Sequence, residues 1–202
     1  MTQRIGIYVY DQVEVLDFAG PYEVFTTASR VYAREHLSEA QLFEVVTIGP
    51  TSAPVHARAG LKIEPDCTLA NHPPLDCVVL PGGVVTAELE RGELTSWIRQ
   101  HLARGVLTTS VCTGAFLLAR AGVLDGHEVT THWDDVAALR EGYPRVKVRE
   151  DVRWVDLGQI VTSAGISAGI DMSLHLVERL HNRQLAERTA RQLDFSWTQV
   201  AA

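Results

Sequence analysis

Along the chain, short continuous apolar runs alternate with longer stretches in which apolar residues return every three or four positions. Continuous runs of that length mark strands buried on both faces, and the helical spacing marks helices that cover them. Residues 4–10, 42–48, 76–80 and 106–111 read as buried strands, and 128–133 as a further short one. Residues 55–58 and 61–63 flank Ala59-Gly60 in a small hairpin pattern. A second hairpin, 152–156 with 159–163 around Leu157-Gly158, reads as an antiparallel addition to the sheet. Helices are predicted from Gly20-Pro21 toward Arg34, with Pro21 near the first helical position, and over 93–103 and 114–121. Others follow a cap at Asp134 or Asp135 and end near Gly142, or span 170–180 and 185–193. Strands and helices alternating in this way predict a mostly parallel sheet covered on both faces.

In such sheets the ligand site lies beyond the carboxyl ends of the strands, where Asp17, Gly82-Gly83 and Cys112 would converge. Cys112 itself falls on a sharp strand-to-helix turn, between Leu107-Thr108-Thr109-Ser110-Val111 and Thr113-Gly114-Ala115-Phe116-Leu117. A thiol at such a corner projects from the strand end toward the free N–H groups of the next helix, which favour thiolate. The local pattern fits either a nucleophile or a buried structural cysteine; Ser110 stands where a hydrolase elbow expects glycine. The adjacent glycines Gly82 and Gly83 fit either a tight turn or a close backbone approach that presents free N–H groups.

Composition narrows the picture. The chain of 202 residues, 46% hydrophobic and 21% charged, is of ordinary globular make-up, and with no repeat or linker it is expected to form one domain over 1–202. A formal net charge of -7 without a basic run argues against a nucleic-acid or anionic-membrane surface. No apolar run approaches the roughly 20 residues of a membrane span, and the first residues lead straight into a strand, so a cytoplasmic protein is expected. Cys67, Cys77 and Cys112 are an odd number without a CxxC pair, which fits a reducing compartment and offers no zinc framework. No metal and no cofactor are expected.

Five segments, in order, resemble the ThiJ/PfpI superfamily with its class I glutamine-amidotransferase-like fold. They are Leu16-Asp17-Phe18-Ala19-Gly20-Pro21, Leu80-Pro81-Gly82-Gly83, Ser110-Val111-Cys112-Thr113-Gly114, Thr131-His132-Trp133 and Ser163-Ala164-Gly165-Ile166-Ser167-Ala168-Gly169-Ile170-Asp171. The resemblance implies a three-layer α/β sandwich, flavodoxin-like, with a nucleophile elbow at Cys112, and a homodimer. Within the superfamily the pattern is most similar to isocyanide hydratase and to the amidase-like sensor domains of AraC-type regulators.

Carried over residue by residue, the resemblance makes Cys112 the hydratase nucleophile, Asp17 the carboxylate beside it, and Thr113 the neighbour that assists through backbone or hydroxyl. Gly82 and Gly83 match a glycine pair whose N–H groups could stabilise developing negative charge. Gly165 and Ile166 match a segment lining the site, and His132 is expected to have a structural or pocket-lining role. Asp171 is read as an N-terminal charge capping its helix. Thr113 stands where the protease-like branch has histidine, which argues against peptidase activity. Cys67, Cys77 and the four tryptophans are read as structural, the tryptophans serving core or dimer contacts.

The leading expectation is a cofactor-independent hydro-lyase acting on a small-molecule isocyanide. The alternative is a non-enzymatic ligand or redox sensor, in which the carboxyl tunes the thiol and favours its oxidation. Related regulators carry a carboxyl-terminal helix-turn-helix pair, and with the chain ending at Ala202 none is expected here. Glyoxalase- or deglycase-like chemistry is a further alternative, which commonly uses a Glu and a His in the site.

Overall fold

The computed structural model describes residues 2–34, 36 and 41–198. In chain order the elements are β1 (Gln3–Tyr8), α1 (Val15–Ala33), β2 (Phe43–Gly49), β3 (Val55–His56), β4 (Lys62–Ile63), β5 (Cys67–Thr68) and β6 (Cys77–Leu80). Then come α2 (Thr86–Leu89), α3 (Gly92–Ala103), β7 (Leu107–Val111), α4 (Gly114–Arg120), β8 (Glu128–Val129), α5 (Val136–Gly142) and β9 (Lys147–Val148). The last are β10 (Trp154–Asp156), β11 (Ile160–Ser163), α6 (Ala168–Leu180) and α7 (Arg183–Gln192).

Seven strands form the central sheet in the order β10-β11-β7-β6-β1-β2-β5. Only the β10–β11 pair is antiparallel, as the hairpin pattern predicts. The fold is therefore a mixed α/β, flavodoxin-like sandwich with a mostly parallel sheet. α1, α6 and α7 pack on one another over one face, while α2, α3 and α4 form a second group that meets the sheet through β6 and β7. Side chains from both faces of the inner strands are buried, among them Ile5, Ile7, Val78, Val79 and Leu80. This explains why these strands read as unbroken apolar runs. Gly20 lets α6 approach α1, because a Cβ there would lie 3.0 Å from the Ile170 side chain.

Several local expectations are revised. The first helix begins at Val15 rather than at Gly20-Pro21, so Pro21 lies inside it. Proline removes the bond to the Asp17 carbonyl four residues back, and burial of Asp17, Phe18, Gly20 and Pro21 holds the additional turn in place. The strand expected over 128–133 stops at Val129. Beyond it, hydroxyls replace the ladder: the Thr130 N–H donates to Thr162 Oγ1 at 2.9 Å, and Thr130 Oγ1 donates to the Arg149 carbonyl at 3.1 Å. A 3-10 turn, Trp133–Asp135, follows, capped by His132 rather than by either aspartate. Asp171 supplies an acidic charge in the first turn of α6, as expected, without a side-chain cap bond; its buried carboxylate takes Arg153 and the Thr198 N–H. Trp154 and Trp97 are buried as expected, whereas Trp133 is 77% exposed and is no part of the core.

Candidate active site

β7 ends at Val111 in the middle of the sheet, and α4 starts at Gly114, so Cys112 must turn the chain within two residues. It does so at φ 57, a left-handed conformation that costs a non-glycine residue free energy and persists only where the surroundings enforce it. They do. The Cys112 N–H is shared between the carbonyls of Ser163 at 3.1 Å and Ala164 at 3.3 Å, and its own carbonyl accepts the Thr131 hydroxyl at 2.9 Å. Gly114 completes the elbow, since a Cβ there would lie 2.0 Å from the Leu80 carbonyl oxygen.

Asp17 reaches the elbow from the first turn of α1 and is fully buried. Its Oδ2 accepts the Gly82 N–H at 3.0 Å. Its Oδ1 is buried without a regular hydrogen-bond partner, and the Cys112 thiol is close enough to interact with the carboxyl. Burial raises the Asp17 carboxyl from its usual 3.8 to about 7; Glu14 adds to the rise, while the Gly82 N–H and the thiol oppose it. Burial likewise pushes the Cys112 thiol up to about 12, with the Asp17 charge adding to it. The backbone N–H of Thr113 acts in the opposite direction and is outweighed. The elbow thus favours thiolate as expected, through the Thr113 N–H, but burial and the Asp17 charge outweigh it and push the thiol up.

The glycine pair also differs from expectation. Gly82 directs its N–H at Asp17, and Gly83 donates its N–H to Thr113 Oγ1 at 2.9 Å. The Thr113 hydroxyl in turn donates to the Gly83 carbonyl at 2.9 Å. Both N–H groups are therefore committed to the protein and hold Asp17 and Thr113 in place instead of facing a ligand. Glycine is required at both positions. A Cβ on Gly82 would lie 2.6 Å from the Thr113 nitrogen, and Gly83 adopts φ +132.

A cavity of about 230 Å³ opens over the thiol, lined by Cys112, Thr113, Gly83, His132 and Ile166 of the expected residues. Glu14, Arg58, Asp134 and Asp135 complete it. Glu14 and Arg58 pair at 3.2 Å, and His132 Nδ1 lies 3.4 Å from the Asp135 carboxylate. With three carboxylates against one paired arginine, the rim suits a neutral ligand better than an anion. Gly165 does not face this cavity. It lines a neighbouring one of about 520 Å³ with Thr131, Trp133 and Arg153, and it supports His132 from behind. A Cβ on Gly165 would lie 1.9 Å from His132 Cδ2.

Glu14 lies in an acidic turn visible in the sequence, and the two aspartates were legible only as capping residues. Arg58 carries no local signature; it arrives because its N–H binds the Val13 carbonyl at 3.0 Å. Cys67, Cys77 and Cys112 are free thiols. Among the described residues no group of three or more His, Cys, Asp and Glu is arranged to hold a metal ion, and no helix is long and apolar enough to cross a membrane.

A buried thiol on a strained strand-to-helix elbow, facing a buried carboxyl across the end of a parallel sheet, defines a class of α/β cysteine-elbow proteins. The chain belongs to the DJ-1/PfpI family, whose pattern it matches over residues 3–179. It is 34% identical over 184 residues to the HTH-type transcriptional regulator GbdR of Pseudomonas aeruginosa, covering 91% of this chain and 48% of that protein. The chain thus spans about half the length of that regulator. It is 32% identical over 200 residues to the isonitrile hydratase of Pseudomonas putida, covering 97% of this chain and 80% of the relative. A crystal structure of a ThiJ/PfpI family protein from Pseudomonas syringae superposes with a TM-score of 0.84 at 27% identity, covering 98% of this chain and 77% of that one.

Proposed function

We propose that this protein is a cofactor-independent hydro-lyase that adds water to an isocyanide through Cys112. The observation that carries the reading is the buried Asp17–Cys112 pair: the thiol sits on the strained elbow beside a fully buried carboxyl whose Oδ1 has no other hydrogen-bond partner among the described residues, and burial raises both groups. Asp17 as carboxylate takes the thiol proton, and the sulfur forms a bond to the terminal carbon of R–NC. Asp17 returns that proton to the carbon, which gives the thioimidate Cys112–S–CH=N–R. In the second half Asp17, again a carboxylate, takes a proton from water as the oxygen adds to the same carbon. Asp17 passes that proton to the nitrogen, the carbon–sulfur bond breaks as the added oxygen becomes the carbonyl, and the hydroxyl proton goes to the departing sulfur, so an N-substituted formamide leaves with Cys112 restored as a thiol. One water is consumed and no redox change occurs.

In this reading the Thr113 N–H stabilises the sulfur, and His132 and Ile166 shape the pocket for a neutral substrate. The protein works as a single domain, as a cytoplasmic homodimer, with a small molecule as partner and no nucleic acid. Acid-quenched intact-mass analysis during turnover tests the chemistry. An adduct of the isocyanide's mass on the Cys112 peptide, absent from Cys112→Ala, is the expected result; turnover without an adduct, or an adduct elsewhere, contradicts it.

The second reading is a ligand-sensing domain, favoured by the identity to a transcriptional regulator over nearly the whole of this chain. It predicts that an isocyanide or a related neutral molecule raises the melting temperature without being consumed.

A further inference from the structure

We propose that Tyr10 is a positioning residue for Asp17, acting through the peptide group that joins Pro81 to Gly82. This rests on the reading above, in which Asp17 is the proton partner of Cys112. Tyr10 lies just beyond β1, is fully buried, and donates its hydroxyl to the Pro81 carbonyl at 3.1 Å. The N–H on the other side of that same peptide bond, the Gly82 N–H, donates to Asp17 Oδ2 at 3.0 Å. The peptide plane is rigid, so holding its carbonyl fixes the direction of its N–H. A bond accepted at the carbonyl also polarises the amide and strengthens it as a donor.

The peptide needs an external hold. Gly82 and Gly83 have no side chains, so nothing local fixes the orientation of the plane. Tyr10 supplies one anchor, and the Glu14 N–H supplies the next by donating to the Gly82 carbonyl at 2.9 Å. The phenol remains a donor throughout the working pH range, because burial and the nearby Asp17 and Glu88 raise its pKa well above the usual value. The other groups that bear on the pair are Glu14 on Asp17 and Asp135 on Cys112, with Arg58 and His132 lining the cavity. Tyr8 stacks on Tyr10 with ring centroids 5.5 Å apart, but its hydroxyl goes to Glu88. It is the matched control.

The test is the pH dependence of Cys112 alkylation by iodoacetamide in the substrate-free protein, read at the Cys112 peptide by mass spectrometry. Wild type is expected to show a rise in rate near pH 7 as the pair loses its first proton. Tyr10→Phe is expected to move that midpoint up by roughly half a pH unit or more, because the carboxylate loses part of its donor. Tyr8→Phe is expected to leave it in place. A fluorinated, more acidic phenol at position 10 is expected to move it down, and decides alone if Tyr10→Phe does not fold. An unmoved midpoint in Tyr10→Phe, or in the fluorinated protein, overturns the proposal. Asp17→Asn separates the two levels. If it abolishes the inflection near pH 7 while the Tyr10 variants leave the midpoint unmoved, only the positioning role fails; if the inflection survives in Asp17→Asn, the underlying reading fails.

Discussion

The Thr131 hydroxyl donates to the Cys112 carbonyl at 2.9 Å, tying the Thr-His-Trp segment to the elbow across 19 residues of sequence. The bond faces the strained residue, so it restrains Cys112 as well as satisfying a buried carbonyl. Thr131→Val keeps the shape and removes the donor. It is expected to lower stability by about 1 kcal/mol in urea unfolding and to slow Cys112 alkylation. Unchanged stability and reactivity would show that the elbow is held without it.

Asp17 makes stability depend on pH in a direction opposite to that of an ordinary paired carboxylate. Its unfolded-state pKa is near 3.8 and its folded value about 7, so in that window the folded protein holds the extra proton. Stability therefore falls as pH rises from about 4 to 7, and it stays lower above that. Relative to Asp17→Asn, wild type is expected to lose on the order of 4 kcal/mol across the window. Parallel unfolding curves at pH 4.5 and 8 measure the difference; a constant gap between the two proteins contradicts the buried, protonated carboxyl.

Gly165 and His132 form a matched pair. Since a Cβ on Gly165 would overlap the imidazole, Gly165→Ala is expected to displace the ring and to cost about 1–3 kcal/mol. His132→Ala removes the obstacle, so the double variant is expected to recover most of that loss. Additive single-site effects in the thermodynamic cycle would mean that the loss in Gly165→Ala does not arise from the imidazole.

Arg153 and Asp171 join α6 to the segment before β10. The Asp171 side chain is 1% exposed and that of Arg153 36%, so Arg153→Met leaves a buried carboxylate with the Thr198 N–H at 2.7 Å as its remaining bond among the described residues. Allowing for the partial exposure of the guanidinium, the expected loss is about 2 kcal/mol. A change within a few tenths of a kcal/mol would mean that solvent already screens the pair.

The parallel strands and the Cys112 elbow were legible because burial on both faces leaves an unbroken apolar run and a cysteine followed by glycine marks the turn. Asp17 and Gly82-Gly83 were legible as neighbours for a topological reason: parallel strands deliver their carboxyl ends to one edge. What the glycine N–H groups bind was not legible. Gly82 turns to Asp17 and Gly83 to Thr113 only once the loop after β1 lies against the loop after β6, a contact made by the Glu14 N–H and the Gly82 carbonyl. The false strand over 130–133 has a similar origin. Thr130 and Thr131 have strand-like side chains, but their hydroxyls are used on Arg149 and Cys112. Arg58 enters the pocket through a backbone bond that leaves no trace in residue type.

The most direct measurement of the central claim is formamide formation from a panel of alkyl and aryl isocyanides by the reduced protein, with Cys112→Ala and Asp17→Asn in parallel. The account predicts turnover by wild type, none by Cys112→Ala, and a loss of at least about 100-fold in Asp17→Asn, the range expected for removal of a general acid and base. No formamide from reduced, folded wild type, or undiminished turnover by Cys112→Ala, would contradict it.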